Sequence, residues 1–392
     1  MPHLSRHNWF VPLAIGFVLA GCGTGSGGGG RATTATGVLK DANVAGLSYR
    51  SGQEKDVTGA DGSFTYEVGN DVTFSIGELV IGTAPGQPVI TPLDFIPASG
   101  VNTTAVQNIV RFLLWLDTDA IPSNGIEISQ PLREHAEATP SIWKPIAFNV
   151  SEDDLNFELN LLFFDMNNFR DERSLPTALQ ARDHLTDTLL CLRSGAFRGT
   201  LAGGDTGNLG LMVDAQTNEL RGFVARDGSP AMLELEGSSA VSLDQQAFFI
   251  STATPAGTTF MGRLTDPDTV TGSWTIPLAQ PLNGTFQGER IGGRGNARYR
   301  FTATYKNGTN DLAGIYTFDI NAAGAVTGVA YGVDSDELTT LSGVYDSQSQ
   351  TLIAVTPGQL VRVDADVDLT AGTLNGSDSL GNTIAGSGCR LN

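Results

Sequence analysis

The chain has 392 residues, 48 of them glycine, and a formal net charge of −19. That acidic balance argues against binding to nucleic acid or to an anionic membrane surface, since both need clustered Lys and Arg. Abundant glycine, few charged residues and modest aromatic content point to many turns and short strands, with room for two or three domains.

Residues 1–21 read as a processing segment. Arg6, between His3 and His7, precedes the apolar run Phe10 to Ala20. Eleven residues are too few to span a hydrocarbon core about 30 Å thick, which needs about 20. Leu19-Ala20-Gly21-Cys22 then matches the lipobox at which bacterial lipoprotein precursors are cleaved, so Cys22 is expected to carry diacylglycerol. Gly23 after the cysteine resembles outer-membrane cargo. Residues 22–36, rich in Gly and Thr, form a tether that bridges about 20 Å as a flexible coil.

Residues 37–97 are strand-rich. Phe64 and Tyr66 share one face and Ser63 and Thr65 the other, and Val72, Phe74 and Ile76 repeat the alternation. The patterns G-V-x-x-D-x-x-V-x-G-x-x-Y from Gly37, T-x-x-D-G-x-F-x-Y-x-x-G from Thr58, V-x-F-x-I-G from Val72 and T-P-L-D from Thr91 resemble an N-terminal module of Gram-negative lipoproteins and surface proteins. The likeness covers 37–192. It implies a small prealbumin-like β-sandwich of the carboxypeptidase-regulatory or CnaB type, in which the Asp61-Gly62 turn is structural.

Residues 98–192 turn helical. Thr104 and Gln107 fit a capping box ahead of the stripe Val106, Ile109, Val110, Leu113 and Leu116. Ser151 is placed to cap a second helix, whose Leu155, Leu159, Leu162 and Phe163 share a face. Pro176 suits the first turn of a third, with Ala181, Leu185 and Leu189 on its stripe. The stretch A-x-x-H-L from Ala181 to Leu185 also resembles that lipoprotein module. His184 within it reads as a packed or half-exposed helix residue.

From 193 to the end the pattern is strand, turn, strand. Ala297, Tyr299, Phe301, Ala303 and Tyr305 alternate with Arg298, Arg300, Thr302 and Thr304, and Val363, Ala365 and Val367 with Arg362, Asp364, Asp366 and Asp368. One buried face per strand means an antiparallel sandwich or barrel. The region is internally duplicated, 193–295 against 296–392. Gly210 matches Gly314, Leu220-Arg221-Gly222 matches Val326-Thr327-Gly328, Gly237 matches Gly343, Gly272 matches Gly372, and Gly284 matches Gly386. The expected fold is therefore mainly β: the small sandwich, the helical segment, then a duplicated antiparallel β-meander closing as barrels or as one two-sheet body.

Chemistry-bearing residues are sparse. Once Cys22 takes lipid, Cys191 and Cys389 remain. In an oxidising compartment they pair as a disulfide, the alternative being two buried thiols. Asp117, Asp119 and Ser123, in a loop with Gly125, are the candidate calcium ligands, although Ile121 occupies the place of a third oxygen and no Glu closes the loop. No other cofactor is implied, and no metal site is assigned with Cys or His. Asp364, Asp366 and Asp368, with Asp334, Asp336 and Glu337, read as a solvated face that keeps a strand edge from pairing. Trp115 and Trp143 read as core, and Trp274 as core or a ligand platform. With two histidines outside the leader and no nucleophile motif, no catalytic residue is expected. The expected role is a non-catalytic binding or structural lipoprotein of the outer membrane, taking a protein or carbohydrate ligand and no nucleic acid. A surface receptor with paired β-barrels for a scavenged ligand is the alternative, and a lipid-anchored hydrolase a more distant one.

Overall fold

The computed structural model describes residues 32–167, 169, 173–239, 247–251, 255–266, 268–292, 297–307 and 313–391. The leader and Cys22 lie outside the described residues. In the N-terminal part, β1 (Thr34–Leu39), β2 (Val44–Ala45), β3 (Ser48–Ser51), β4 (Glu54–Val57), β5 (Ser63–Glu67), β6 (Asp71–Ile76), β7 (Leu79–Pro85) and β8 (Val89–Ile90) come first. They are followed by α1 (Thr104–Leu116), β9 (Ile126–Glu127), α2 (Gln130–Ala138), α3 (Glu152–Glu158), α4 (Asn160–Met166) and α5 (Ala178–Arg193).

Three small sheets result, ordered β5-β1-β8, β4-β3-β6-β7 and β2-β9. Phe64 of the first meets Phe74 of the second edge-on, with ring centroids 5.2 Å apart. Asp61-Gly62 is a structural turn: Asp61 Oδ1 accepts from the Ser63 amide at 3.0 Å, and Gly62 has φ +79° with its would-be Cβ against the Leu39 carbonyl. The strands and helices share one core running from Leu39 to Leu189, in which Trp115 and Trp143 are buried. Sheet and helices therefore form a single packed body.

Several local expectations shift. β1 begins at Thr34, so the last residues assigned to the tether are already paired, Thr34 opposite Glu67. Thr104 is the first residue of α1 rather than its cap; Thr103 precedes it and its hydroxyl accepts from the Gly100 amide. Ser151 does cap α3, accepting from the Asp154 amide at 3.2 Å. The second helix is two short ones, α3 and α4, meeting at Leu159. Pro176 stands outside α5, whose capping box is Thr177 with Gln180. α2 and β9 were not legible, because a short, largely polar helix and a two-residue strand carry little periodic signal.

The C-terminal part is two closed eight-stranded barrels in simple sequential order. The first comprises β10 (Gly195–Gly203), β11 (Gly207–Val213), β12 (Leu220–Arg226), β13 (Ser229–Ser239), β14 (Ala247–Ser251), β15 (Thr259–Asp266), β16 (Thr269–Ile276) and β17 (Leu282–Ile291). The second comprises β18 (Tyr299–Lys306), β19 (Ala313–Ile320), β20 (Ala325–Gly332), β21 (Glu337–Asp346), β22 (Thr351–Val355), β23 (Arg362–Asp368), β24 (Thr373–Asp378) and β25 (Thr383–Arg390). Each closes by pairing its first strand with its last, β10 with β17 and β18 with β25. The duplicated segments fall on equivalent strands, with one exception. Gly372 lies in a turn at φ +66°, and the glycine of the second barrel's seventh strand is Gly376.

Both interiors are filled with side chains, around Phe260, Trp274 and Phe286 in the first barrel and Phe301, Tyr316 and Phe318 in the second. Trp274 is thus core. On β23, Val363, Ala365 and Val367 point inward while Arg362, Asp364 and Asp366 are exposed, the reverse of a membrane-spanning barrel. Among the described residues no helix is long and apolar enough to cross a membrane.

The barrels lie side by side, joined by a fourth apolar cluster that includes Met212, Phe223, Ile315, Tyr331 and Val333. This explains why β11 and β19 are buried on both faces: alternate residues serve the barrel core and the seam. Arg300 and Thr302 do lie on the opposite face of β18 from the core residues. They are nonetheless buried, and Arg300 is paired with Asp319 at 2.7 Å.

Candidate binding surface at the mouth of the second barrel

The turns β20–β21, β22–β23 and β24–β25 converge at one mouth of the second barrel. The last of them is fixed by Asp378 at the end of β24. One Asp378 oxygen accepts from the amides of Leu380 and Asn382 at 2.9 and 3.0 Å, the other from the Tyr316 hydroxyl and the Asn382 side-chain amide at 2.9 and 2.7 Å. Four donors on one nearly buried carboxylate hold the turn to the barrel wall, because leaving such a group unpaired costs several kcal/mol, about 1–3 or more. The Asn382 side-chain oxygen is buried with no hydrogen-bond partner.

The neighbouring turn is tied to the first. Thr356 Oγ1 accepts from the Val361 amide at 2.9 Å, and Ser379 bonds the backbone of Arg362 through its amide and its hydroxyl. The two clamped turns hold Leu360 and Leu380 out to solvent, 80% and 55% exposed. Leu338, at the start of β21, is a third exposed leucine at this mouth. Just inside, Tyr305 and Tyr316 pack with ring centroids 4.7 Å apart. Burial, with Asp334 and Asp378 nearby, pushes the Tyr305 hydroxyl up to about 12. Burial and the Asp378 carboxylate raise Tyr316 as well, so both phenols stay neutral donors. The arrangement is a rigid polar ring beneath apolar tips. It can present a surface to a partner, above an interior packed around Phe301, Tyr316 and Phe318.

The residues singled out from sequence are scattered. Asp364 is ion-paired with Arg362, which holds its carboxyl below the usual range, and Asp368 closes a turn by accepting from the Thr370 and Ala371 amides. Asp336 accepts from the Tyr331 hydroxyl at 2.9 Å. Asp119 commits its oxygens to the Ile121 amide and to Asn124, and Ser123 is exposed. Asp117 is buried and accepts from the Glu127 amide; burial raises its pKa. These carboxylates build a helix-end turn, and among the described residues no group of three or more His, Cys, Asp or Glu side chains is placed to hold a metal. His135 shares Asp165 with the Trp143 indole, which joins α2 to α4.

One pairing links the halves of the molecule, and another fastens α5 to the first turn of the N-terminal part. Cys191 on α5 and Cys389 on β25 form a disulfide with Cα atoms 5.7 Å apart. It does not close the β-region on itself, since each barrel closes by its own strands; it fastens the second barrel to the helix before the first. His184, also on α5, lies 3.3 Å from the fully buried Asp41, whose carboxyl is raised to about 6 by burial, against the opposing pull of His184. Asp41 carried no sign of burial in the sequence because it sits in a turn, and only the docking of α5 encloses it.

No family model matches the chain, and no curated protein matches it. Among solved structures, a mutant of the vaccine antigen transferrin binding protein B from Haemophilus parasuis Hp5 is similar at 9% identity and a TM-score of 0.17. The match covers 48% of this chain and 66% of that one. A superposition that loose carries no argument about function.

Proposed function

We propose that this is a lipid-anchored envelope protein whose paired barrels form a non-catalytic binding head, with the mouth of the second barrel as its contact surface. The carrying observation is the clamped pair of turns that holds Leu360 and Leu380 in solvent above the Tyr316–Asp378–Asn382 ring. Exposed leucines on braced turns lose little entropy on docking, as a preorganised protein-binding surface requires. Acidic side chains around them, such as Glu337, favour a partner with basic groups beside apolar ones. The anchor rests on the Leu19 to Cys22 motif, and the resemblance to lipoprotein N-terminal modules over 37–192 supports the same placement.

Site-specific photo-crosslinking in intact cells of the source bacterium tests this. A crosslinker at 360 or 380 should give discrete adducts, whereas one at exposed Ser349, in a turn at the opposite end of the barrel, should not. Cys22→Ser should move the protein out of the membrane fraction. Equal labelling at all three positions would remove the surface, and unchanged membrane partitioning of Cys22→Ser would remove the anchor.

A further inference from the structure

A second exposed apolar surface lies in the N-terminal body, far in sequence from the barrels. Phe157, Leu161 and Phe164 are 80%, 57% and 70% exposed. Their spacing of four and three residues places them on one side of the nearly continuous α3–α4 unit, since Phe163 still bonds back to Leu159 across the junction. The opposite side, Leu155, Leu159, Leu162 and Met166, is buried in the core and anchors the helices. Among the described residues, this amphipathic unit therefore has a second apolar stripe with nothing packed against it.

The charge around the stripe is of one sign. Asp153 and Asp154 precede Phe157 by four and three residues, and Glu158 precedes Leu161 by three; all are exposed. We infer that the α3–α4 stripe is a docking face for a partner protein's amphipathic segment that carries basic residues beside its apolar side chains. Charge complementarity selects this occupant. A second copy of this chain would oppose acid to acid in a molecule already at −19, and an anionic bilayer would be repelled by the same carboxylates. Two phenylalanines on a helical surface supply the aromatic anchors that dominate such contacts.

The test uses the mature chain and a fluorescein-labelled synthetic helix with leucines at positions i, i+4 and i+7, flanked by lysines, read by anisotropy. Phe157→Ser with Phe164→Ser should weaken binding about tenfold or more. Glu158→Lys should weaken it less, and should improve binding of the same helix with glutamates in place of lysines. All three positions are exposed, and an unchanged thermal melt confirms that the variants fold. Leu161→Ser gives an independent reading. Unaltered affinity of the double variant, or equal binding of the lysine and glutamate helices, would overturn the inference. So would loss, on the same substitutions, of dimerisation or of binding to phosphatidylcholine vesicles, since the face would then serve a second copy or a membrane.

Discussion

The two barrels share strand number, order and closure, yet they are not equally regular. The first has register shifts in three of its strand pairs, between Val224 and Arg226, between Gly237 and Ser239, and between Leu264 and Asp266. In the second the neighbouring strands run in unbroken register around the wall. A bulge bends a strand and sharpens its twist. The unbulged barrel is also the one stapled by a disulfide, and the one whose last turn the Asp378 network holds to the wall. The more regular copy is thus the one that carries the candidate contact surface. The lesson is that duplication sets the wall, while local polar bonds set what each mouth can present.

Removing the disulfide gives the largest expected effect on this contrast. Cys191→Ser with Cys389→Ser frees a segment of 198 residues, worth up to about 5 kcal/mol in the chain-entropy model. Amide exchange should rise in β25 and β18 more than in β10, because the first barrel stays joined to α5 by the chain itself. Equal protection with and without reductant in both barrels would mean that the bridge is idle.

A smaller effect is expected at the seam. A Cβ on Gly210 would stand 2.6 Å from a Val333 methyl, too close for any real side chain. Gly210→Val should cost about 1–3 kcal/mol by overpacking, and should split one denaturation transition into two if the seam is what makes the barrels unfold together. A single unshifted transition would show that the seam can give way.

The smallest expected effect concerns pH, at the joint between α5 and the rest of the N-terminal body. Folded Asp41 holds its proton up to about pH 6, whereas unfolded it releases it near its ordinary value. The fold therefore binds more protons between those values, and this group's contribution to stability falls as pH rises through that window. His184 opposes the loss when charged; Asp187, itself raised by burial, feels the same imidazole, and the neighbouring Asp183 charge raises Asp187 further. Asp41→Asn should be more stable relative to the parent at pH 7.5 than at pH 4.5, by on the order of 1 kcal/mol. Urea midpoints at the two values decide it, and a reversed sign would show that the His184 ion pair outweighs the burial.

Much of the fold was written in local pattern. Alternation at Val363, Ala365 and Val367 names an inward face because strand side chains repeat every two residues, and the spacing of the glycines exposed the duplication. The stripe Val106, Ile109, Val110, Leu113 and Leu116 marked α1 in the same way, through the helical period. Local pattern did not say whether sixteen strands make one body or two, because closure depends on β10 meeting β17 and β18 meeting β25, about 90 residues apart along the chain. Nor did it show that Arg300 and Thr302 lie under a neighbouring barrel, that the Cys191–Cys389 bridge joins helix to barrel, or that Asp41 is buried beneath α5. The candidate mouth was hidden for the same reason. Leu380, Tyr316 and Asn382 look unremarkable one at a time, and only the return of β19, β24 and β25 to one rim brings their bonds to a single carboxylate.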